Sequence, residues 1–363
     1  MKNYKLNVLH LLIVATLLLL GSCNENEILD EVTDPDTELE DKEPEEEEEE
    51  PEEEENPQPD ASHPFFLEGQ DPKPSNMKWV KVDALTDEFE NGAIDLEKWN
   101  ESPEFLWENA NGSFSDRGWY GSTRCLFSEE NVSIVEGELR IEAKMYDTPQ
   151  YSPKDDQSKP AVRWFGGAYV SSKTMGKPGY YFEAEMQSSS TVMSSAFWLK
   201  TPPVPCSTTT DGENLELDIQ ECVGRFLGSQ TDDWTNDDWA VNSKWDQIFH
   251  FNTHRHATNC TYSGSRQSKG GHINFEKYNR EEYHVYAAWW HEGGNQVDFF
   301  IDGTLVKSVT PPVPFTSDQR LIMSSNFYDW VKEDGKDEMG FNDSKLDRST
   351  KFKWVRTWKL EAE

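Results

Sequence analysis

The sequence predicts an all-β domain, a sandwich of many short strands, and three observations carry that expectation. Short segments that alternate apolar and polar residues recur from about Lys78 to the C-terminus, with the period of two that half-buried antiparallel strands require. Gly, Asn, Asp or Pro bound most of them, and no stretch longer than a few residues has helical periodicity. The 300 or so residues after the polar N-terminal region have a core-forming composition and a length that one large β-domain can fill.

In chain order, "NVSIVEGELRIEAKMY" (131–146) reads as two strands joined by a tight hairpin turn at "EGEL". "GGAYVSSKTM" (166–175), "GYYFEAEMQ" (179–187) and "SSAFWLK" (194–200) are three more alternating segments, and "ENLELDIQECVG" (213–224) is a further strand with unusual chemistry. "EYHVYAAWW" (282–290) precedes "QVDFFIDGTLVKSVT" (296–310), which turns back on itself at "IDGTL". "RLIMSSNFYDW" (320–330) and "KFKWVRTWKLE" (351–361) complete the set, with Trp354 and Trp358 expected in the core. There is no fixed-period repeat.

The ends set the context. "MKNYKLNVLHLLIVATLLLLGSC" has a basic start, an apolar run too short to span a membrane with confidence, and small residues before Cys23, the pattern of a secretory signal peptide. "LGSC" resembles the lipobox of bacterial lipoproteins, which implies a leader over 1–22 and a lipid on Cys23. Residues 24–62 carry 21 acidic residues against one lysine, a net of −20 out of the chain's −35. Such a segment cannot bury enough apolar surface to order itself, so 23–62 reads as an extended tether and 63–363 as the folded domain. Its acidic run resembles the surface-export signal of Bacteroidetes lipoproteins, implying an outer-membrane, cell-surface location. The body is acidic too, which argues against a nucleic-acid partner. Four cysteines follow Cys23, namely Cys125, Cys206, Cys222 and Cys260. An exported chain could pair them in three ways; Cys206 with Cys222 is favoured, and no pair has close zinc-ligand spacing.

All 14 tryptophans lie in the body. Trp119, Trp164, Trp234, Trp239 and Trp330 sit among Gly, Asp and Asn, where a ring offered from a loop suits the C–H face of a sugar while polar neighbours take its hydroxyls. In "ELDIQE" (216–221), Glu216 and Asp218 share one strand face and Leu217 and Ile219 the other. Strict alternation would turn Glu221 into the core, a costly place for a carboxylate. A β-bulge near Ile219–Gln220 restores it to the face of Glu216 and Asp218. Three crowded carboxylates must raise at least one pKa. Two carboxyl groups about 5–5.5 Å apart can act as nucleophile and acid in retaining glycoside hydrolysis, with the repulsion expected to keep the acid protonated near neutral pH.

"ELDIQE" resembles, in bulged form, the E-x-D-x-x-E signature of glycoside hydrolase family 16. "DEFENGAIDLEKW", "YYFEAEMQSSSTVMSSAFWL", "YHVYAAWWHEGGNQVDFFIDGTLV" and "FKWVRTWKL" agree with it across about 78–361. The resemblance implies a concanavalin A-like β-jelly roll with an open concave cleft and endo-acting retaining hydrolysis of a β-linked galactan or glucan. Glu216 would be the nucleophile, Glu221 the acid/base and Asp218 the helper between them. "VMSSAFWL", "ECVG", "FHFNTHRH" and "YDWVKEDG" resemble the agarases and porphyranases more than the laminarinases, whereas "GWYGSTR" and "HRHATNC" depart from the agarase pattern. Trp119, Trp198, His254, Asn326 and Trp330 would then contact sugar.

Arg124, Arg163, Arg225, Arg255 and His256 lie near these segments, and a sulfated chain would need such cations; Arg124 and Arg255 are the two taken as substrate contacts. The alternative for each is an ion pair with the domain's own carboxylates. The negative body leans toward neutral agarose and cleavage of its β-1,4 galactosidic linkages; porphyran or another sulfated galactan, then a laminarin-type glucan, are the alternatives. A silent lectin on the same fold would explain the tryptophans but has no use for the carboxylates, and an adhesive role rests on the tether alone. Catalysis needs no cofactor; a structural calcium on the convex side, near Asp87 or Asp302, is an option. The chain is expected to work as a monomer.

Overall fold

The computed structural model describes residues 59–101, 121–152, 162–202, 214–228, 244–256 and 265–363. The leader, Cys23, nearly all of the tether, Trp119, Trp234, Trp239, Cys206 and Cys260 lie outside the described residues. Two β-sheets make up the domain, and among the described residues the helical content is two 3-10 turns, Asp83–Leu85 and Glu129–Asn131.

The strands are β1 (Met77–Lys81), β2 (Trp99–Asn100), β3 (Cys125–Phe127), β4 (Val132–Val135), β5 (Glu138–Glu142), β6 (Lys144–Gln150), β7 (Arg163–Gly176), β8 (Tyr180–Gln187) and β9 (Ser194–Lys200). They continue with β10 (Leu215–Val223), β11 (Ile248–Arg255), β12 (Gln267–Asn274), β13 (His284–Trp290), β14 (Val297–Ile301), β15 (Thr304–Val309), β16 (Gln319–Ser325) and β17 (Ser349–Ala362). One sheet of eight strands runs β15-β14-β13-β8-β17-β5-β4, with β1 added beside β17. The other, of nine, runs β12-β11-β10-β9-β16-β7-β2, with β3 and β6 beside β7. All pairings are antiparallel except β3 with β7.

Both expected hairpins form. Glu136 and Gly137 have φ of 55° and 75°, and Asp302 and Gly303 have 46° and 75°; two consecutive positive φ values match the twist of the flanking strands. The sequence did not mark β12 as a strand. "QSKGGHIN" is polar and mostly exposed because it forms the sheet's edge, where one side has no neighbour to pack.

Apolar side chains from the inner faces of both sheets make the main core, among them Phe182, Trp290 and Phe299 from one and Phe197, Leu217, Ile219 and Phe249 from the other. A second cluster lies on the outer face of the nine-stranded sheet, where the segment after β16 brings Phe327, Val331, Met339 and Phe341 onto Phe165, Tyr169, Trp198 and Ile322. Trp354 and Trp358 are buried as expected, but under the N-terminal residues Phe65 and Phe66 on the outer face of the eight-stranded sheet.

The favoured Cys206–Cys222 pairing does not occur. Cys222 is a free, fully buried thiol whose side chain faces the inner core and meets the Ser195 carbonyl oxygen at 3.6 Å. Cys125 is likewise free and buried, and burial pushes its thiol up to about 12. The acidic residues named for calcium are committed to N–H donors. Asp87 accepts from the Phe89 amide and the Trp99 indole, and Asp302 from the Val285 amide and the His284 ring, so each already serves two donors of the protein itself.

Candidate active site

Strand β10 lies in the nine-stranded sheet between β9 and β11, and its side chains reveal its register. Leu215, Leu217 and Ile219 enter the inner core at steps of two, and the next core residue, Cys222, follows at a step of three. The β9 pairing jumps at the same place, from Asp218 opposite Trp198 to Gln220 opposite Phe197. This is the bulge that alternation demanded, and it puts Glu216, Asp218 and Glu221 together on the outer face.

The gap in the ladder is closed by Gln220, whose side chain is fully buried. Its amide oxygen accepts from the backbone N–H of His250 at 3.0 Å and of Glu221 at 3.1 Å, and its NH2 group donates to the Ile248 carbonyl at 3.0 Å. The regular pairing with β11 ends at Asp218, and this one side chain carries the link between the two strands beyond it. Just beyond, Gly224 passes so close to the Ser189 carbonyl that a Cβ would collide with it.

Each carboxylate has its own basic partner. Glu216 Oε2 lies 2.9 Å from Lys200 Nζ and 3.3 Å from His256 Nε2. Asp218 Oδ2 is 3.0 Å from His254 Nε2, whose other ring nitrogen meets the Ser268 hydroxyl on β12. Glu221 accepts a 2.6 Å hydrogen bond from the Tyr328 phenol through Oε1 and has His250 Nδ1 at 3.3 Å from Oε2. The three histidines come from one stretch, "FHFNTHRH", as β11 and its exit run beside β10.

These partners divide the protons. Burial alone would raise all three carboxyl groups, but the Lys200 ammonium and then His256 outweigh it at Glu216 and hold that group well below the usual range. Asp218 is raised to about 6 by burial and by the adjacent Glu216 charge, with His254 only partly offsetting them. Burial works against a charge on His254, yet Asp218 and Glu216 raise its pKa. At Glu221, burial is outweighed by His250 and Tyr328, so its pKa is lowered. This corrects the expectation that crowding would raise the acid. The raised group is Asp218, because Glu221 has two donors of its own.

The remaining candidates separate. Trp198 stands opposite Asp218 on β9, 8% exposed, with its indole donating to Ser324 Oγ at 3.0 Å. The Asn326 carbonyl accepts from the Ser194 amide and its own amide donates to the Ser194 hydroxyl, while its side-chain oxygen has no hydrogen-bond partner. Trp330 stacks on Tyr328 at 5.5 Å and lies 5.2 Å from Trp245, whose ring meets His250 edge-on.

Arg124, named as a substrate contact, is engaged within the protein itself. It donates to the carbonyls of Tyr328, Asp329 and Val331, pairs with Glu333 and lies over the Phe327 ring, so its guanidinium is spent holding the segment that carries Tyr328 and Trp330. Arg225 likewise pairs with Asp343. Arg255 stands opposite Leu215, on the core side of the sheet, while its neighbour His254 stands opposite Glu216.

Sequence reasoning missed Lys200, His250, Tyr328 and Trp245. Period two was the available signal for the first pair: Lys200 shares the parity of Trp198, and His250 that of Asn252 and His254. Glu216, Asp218 and His254 bring possible ligand atoms within 4.8 Å of one another. The Lys200 ammonium against Glu216 would repel a cation there, so the set is built for proton transfer. Two cavities, of about 640 and 510 Å3, lie over the eight-stranded sheet, away from these carboxylates.

Comparison with known proteins agrees with this geometry. Residues 79–360 match the family model described as beta-porphyranase A-D, GH16 domain. The chain is 56% identical over 303 residues to beta-porphyranase C of Zobellia galactanivorans, covering 83% of this chain and 84% of the relative. The crystal structure of porphyranase B from the same organism superposes with a TM-score of 0.67 at 32% identity, over 83% of this chain and all of that one. Beta-agarase A of Zobellia galactanivorans, at 18% identity and a TM-score of 0.57 over 80% of this chain and 95% of that one, shares the fold. A single strand, bulged so that Glu216, Asp218 and Glu221 face one way within a two-sheet jelly roll, thus accompanies a match over nearly the whole body, and the chain belongs to the β-porphyranase A–D group of glycoside hydrolase family 16.

Proposed function

We propose that the protein is an endo-acting, retaining β-porphyranase. The observation that carries the reading is the Glu216, Asp218 and Glu221 face in a chain 56% identical to a protein named beta-porphyranase C. The preference for agarose drawn from net charge gives way to the sulfated alternative. Net charge averages the whole surface, whereas the carboxylate face itself carries Lys200, His250, His254 and His256.

In this reading Glu216 attacks the anomeric carbon while the glycosidic C–O bond breaks and Glu221 passes its proton to the departing oxygen. Glu221 then takes a proton from water, whose oxygen displaces Glu216 from the sugar. The Glu221 side chain is 25% exposed before substrate binds. A sugar seated over it strips that water and raises its pKa, which supplies the protonated acid when it is needed. Asp218 between the two, raised to about 6, is the first of the three to take up a proton as pH falls, which limits repulsion within the set. Trp198 and Trp330 offer ring faces to the sugar and the unpartnered oxygen of Asn326 an acceptor for a hydroxyl, while His254, with both ring nitrogens engaged by Asp218 and Ser268, acts through Asp218. The lipobox-like "LGSC" supports tethering at the outer-membrane surface through Cys23.

The test is to incubate the purified protein with porphyran, agarose, κ-carrageenan and laminarin, beside a Glu216→Gln variant, and resolve the products by size. Oligosaccharides from porphyran that are absent with the variant are expected. Products from agarose alone would return the substrate to the neutral galactan. Binding without any product would mean a lectin.

A further inference from the structure

We propose that Lys200 is a positioning residue for the nucleophile: with His256 it holds one oxygen of Glu216, leaving the other free to attack as part of an ionised carboxylate. The inference rests on the reading of Glu216 as the nucleophile.

Lys200 is the last residue of β9, placed by register opposite Glu216 on β10 and Arg320 on β16. Its side chain therefore shares the face of the carboxylates. Both Lys200 Nζ, at 2.9 Å, and His256 Nε2, at 3.3 Å, approach the same atom, Glu216 Oε2. With Oε2 occupied by two groups on the protein, Oε1 is the oxygen left for the attack, and the side chain remains 18% exposed on the outer face.

The setting gives the lysine a reason to be there. Its side chain is only 10% exposed, and a buried ammonium is costly unless paired. Arg320, the cation facing it across β16, is turned away to donate to the carbonyls of Ser172 and Lys173, so Lys200 is left to Glu216. The charged and titratable groups facing Glu216 are Lys200 from β9, Asp218 and, further on, Glu221 from its own strand, His254 from β11, and His256 just after it. Without Lys200, Glu216 and Asp218 would be two neighbouring buried carboxyls competing for one proton, and a protonated Glu216 cannot attack. The lysine decides the competition: as pH falls, Asp218 takes the proton first and Glu216 stays ionised. A sulfated chain laid over the face adds negative charge that would push Glu216 toward protonation, so an anionic substrate makes this pairing more necessary than a neutral one would.

The test compares wild type with Lys200→Met, which keeps the length and removes the charge, and Lys200→Arg, which keeps the charge. Two readouts are taken: the pH dependence of kcat and KM on the galactan that the wild type cleaves, and a carbon-13 NMR titration of the Glu216 carboxyl. In Lys200→Met the acid limb of kcat/KM should move up by about one to three pH units, the usual effect of an adjacent opposite charge, with the loss in kcat and KM nearly unchanged. Lys200→Arg should keep the limb near its wild-type position, and His256→Gln should move it the same way by less.

An unmoved acid limb in Lys200→Met, or a loss confined to KM, would overturn the proposal, the latter making Lys200 a substrate contact. The NMR titration does not depend on turnover. If the wild type cleaves no galactan, the glycosidase reading fails, while an upward shift of the Glu216 titration in Lys200→Met still supports the pairing and no shift still refutes it. If Lys200→Met does not fold, His256→Gln carries the same test on the same oxygen.

Discussion

Tyr328 is the residue that tunes Glu221, the proposed acid/base. Its phenol donates to Glu221 at 2.6 Å, and burial together with the Glu221 charge raises its own pKa well above the ordinary value, so it remains a donor throughout the working range. A hydrogen bond to the ionised form favours that form. Removing it in Tyr328→Phe should raise the Glu221 pKa. The alkaline limb of the kcat/KM profile, above which the acid has lost its proton, should then move to higher pH, while the acid limb stays in place. A pH-rate profile checks this, and a shift of the alkaline limb to lower pH would contradict it. The same phenol stacks on Trp330, so the variant keeps the ring and isolates the hydroxyl.

At the scale of the element, the bulge in β10 is sustained by Gln220. Its amide satisfies the N–H groups of His250 and Glu221 and the carbonyl of Ile248, all within buried structure. Gln220→Leu keeps the volume and leaves these backbone groups without that partner. The Ile248 carbonyl keeps the Asn279 amide at 2.8 Å, so the N–H groups of His250 and Glu221 are the two left unsatisfied; at about 1–3 kcal/mol each, the variant should lose about 2 kcal/mol or more in a urea titration. Activity should fall further than a stability loss alone explains, because His250 and Glu221 are the residues these bonds hold. A variant as stable as wild type would mean that water replaces the amide.

Across the whole molecule, the N-terminal residues bind the outer face of the eight-stranded sheet through Glu183. This fully buried carboxyl accepts from the Phe65 amide at 2.9 Å and the Trp358 indole at 2.7 Å, and burial, outweighing those two bonds, raises its pKa to about 7. Gly303 leaves no room for a Cβ beside Phe66 and Leu67, so the same segment also depends on the hairpin turn at 302–303.

Because the folded pKa lies above the ordinary 4.5, the stabilising contribution is complete below about pH 4.5 and is lost as pH rises through about 7. The full swing is at most about 3 kcal/mol. Urea midpoints measured from pH 4.5 to 8 should therefore fall more steeply for wild type than for Glu183→Gln, and parallel curves would contradict the assignment. Asp218 titrates in the same window with the same sign, and the comparison between variants removes it.

Much of this was legible in the chain itself because it is local. Alternation marked most of the strands, the two-residue turns marked the hairpins, and the spacing of Glu216, Asp218 and Glu221 required a bulge. The identity of the groups opposite those carboxylates was not local. Lys200 is 16 residues from Glu216 and Tyr328 is 107 from Glu221, and only the strand register and the segment after β16 bring them together. The surroundings of the cations were not local either: Arg124 clamps the segment after β16, and Arg255 stands opposite Leu215. The sequence by itself determined that three carboxylates share a face; the tertiary structure decided which one keeps the proton, since burial and the charge of cross-strand neighbours set each pKa.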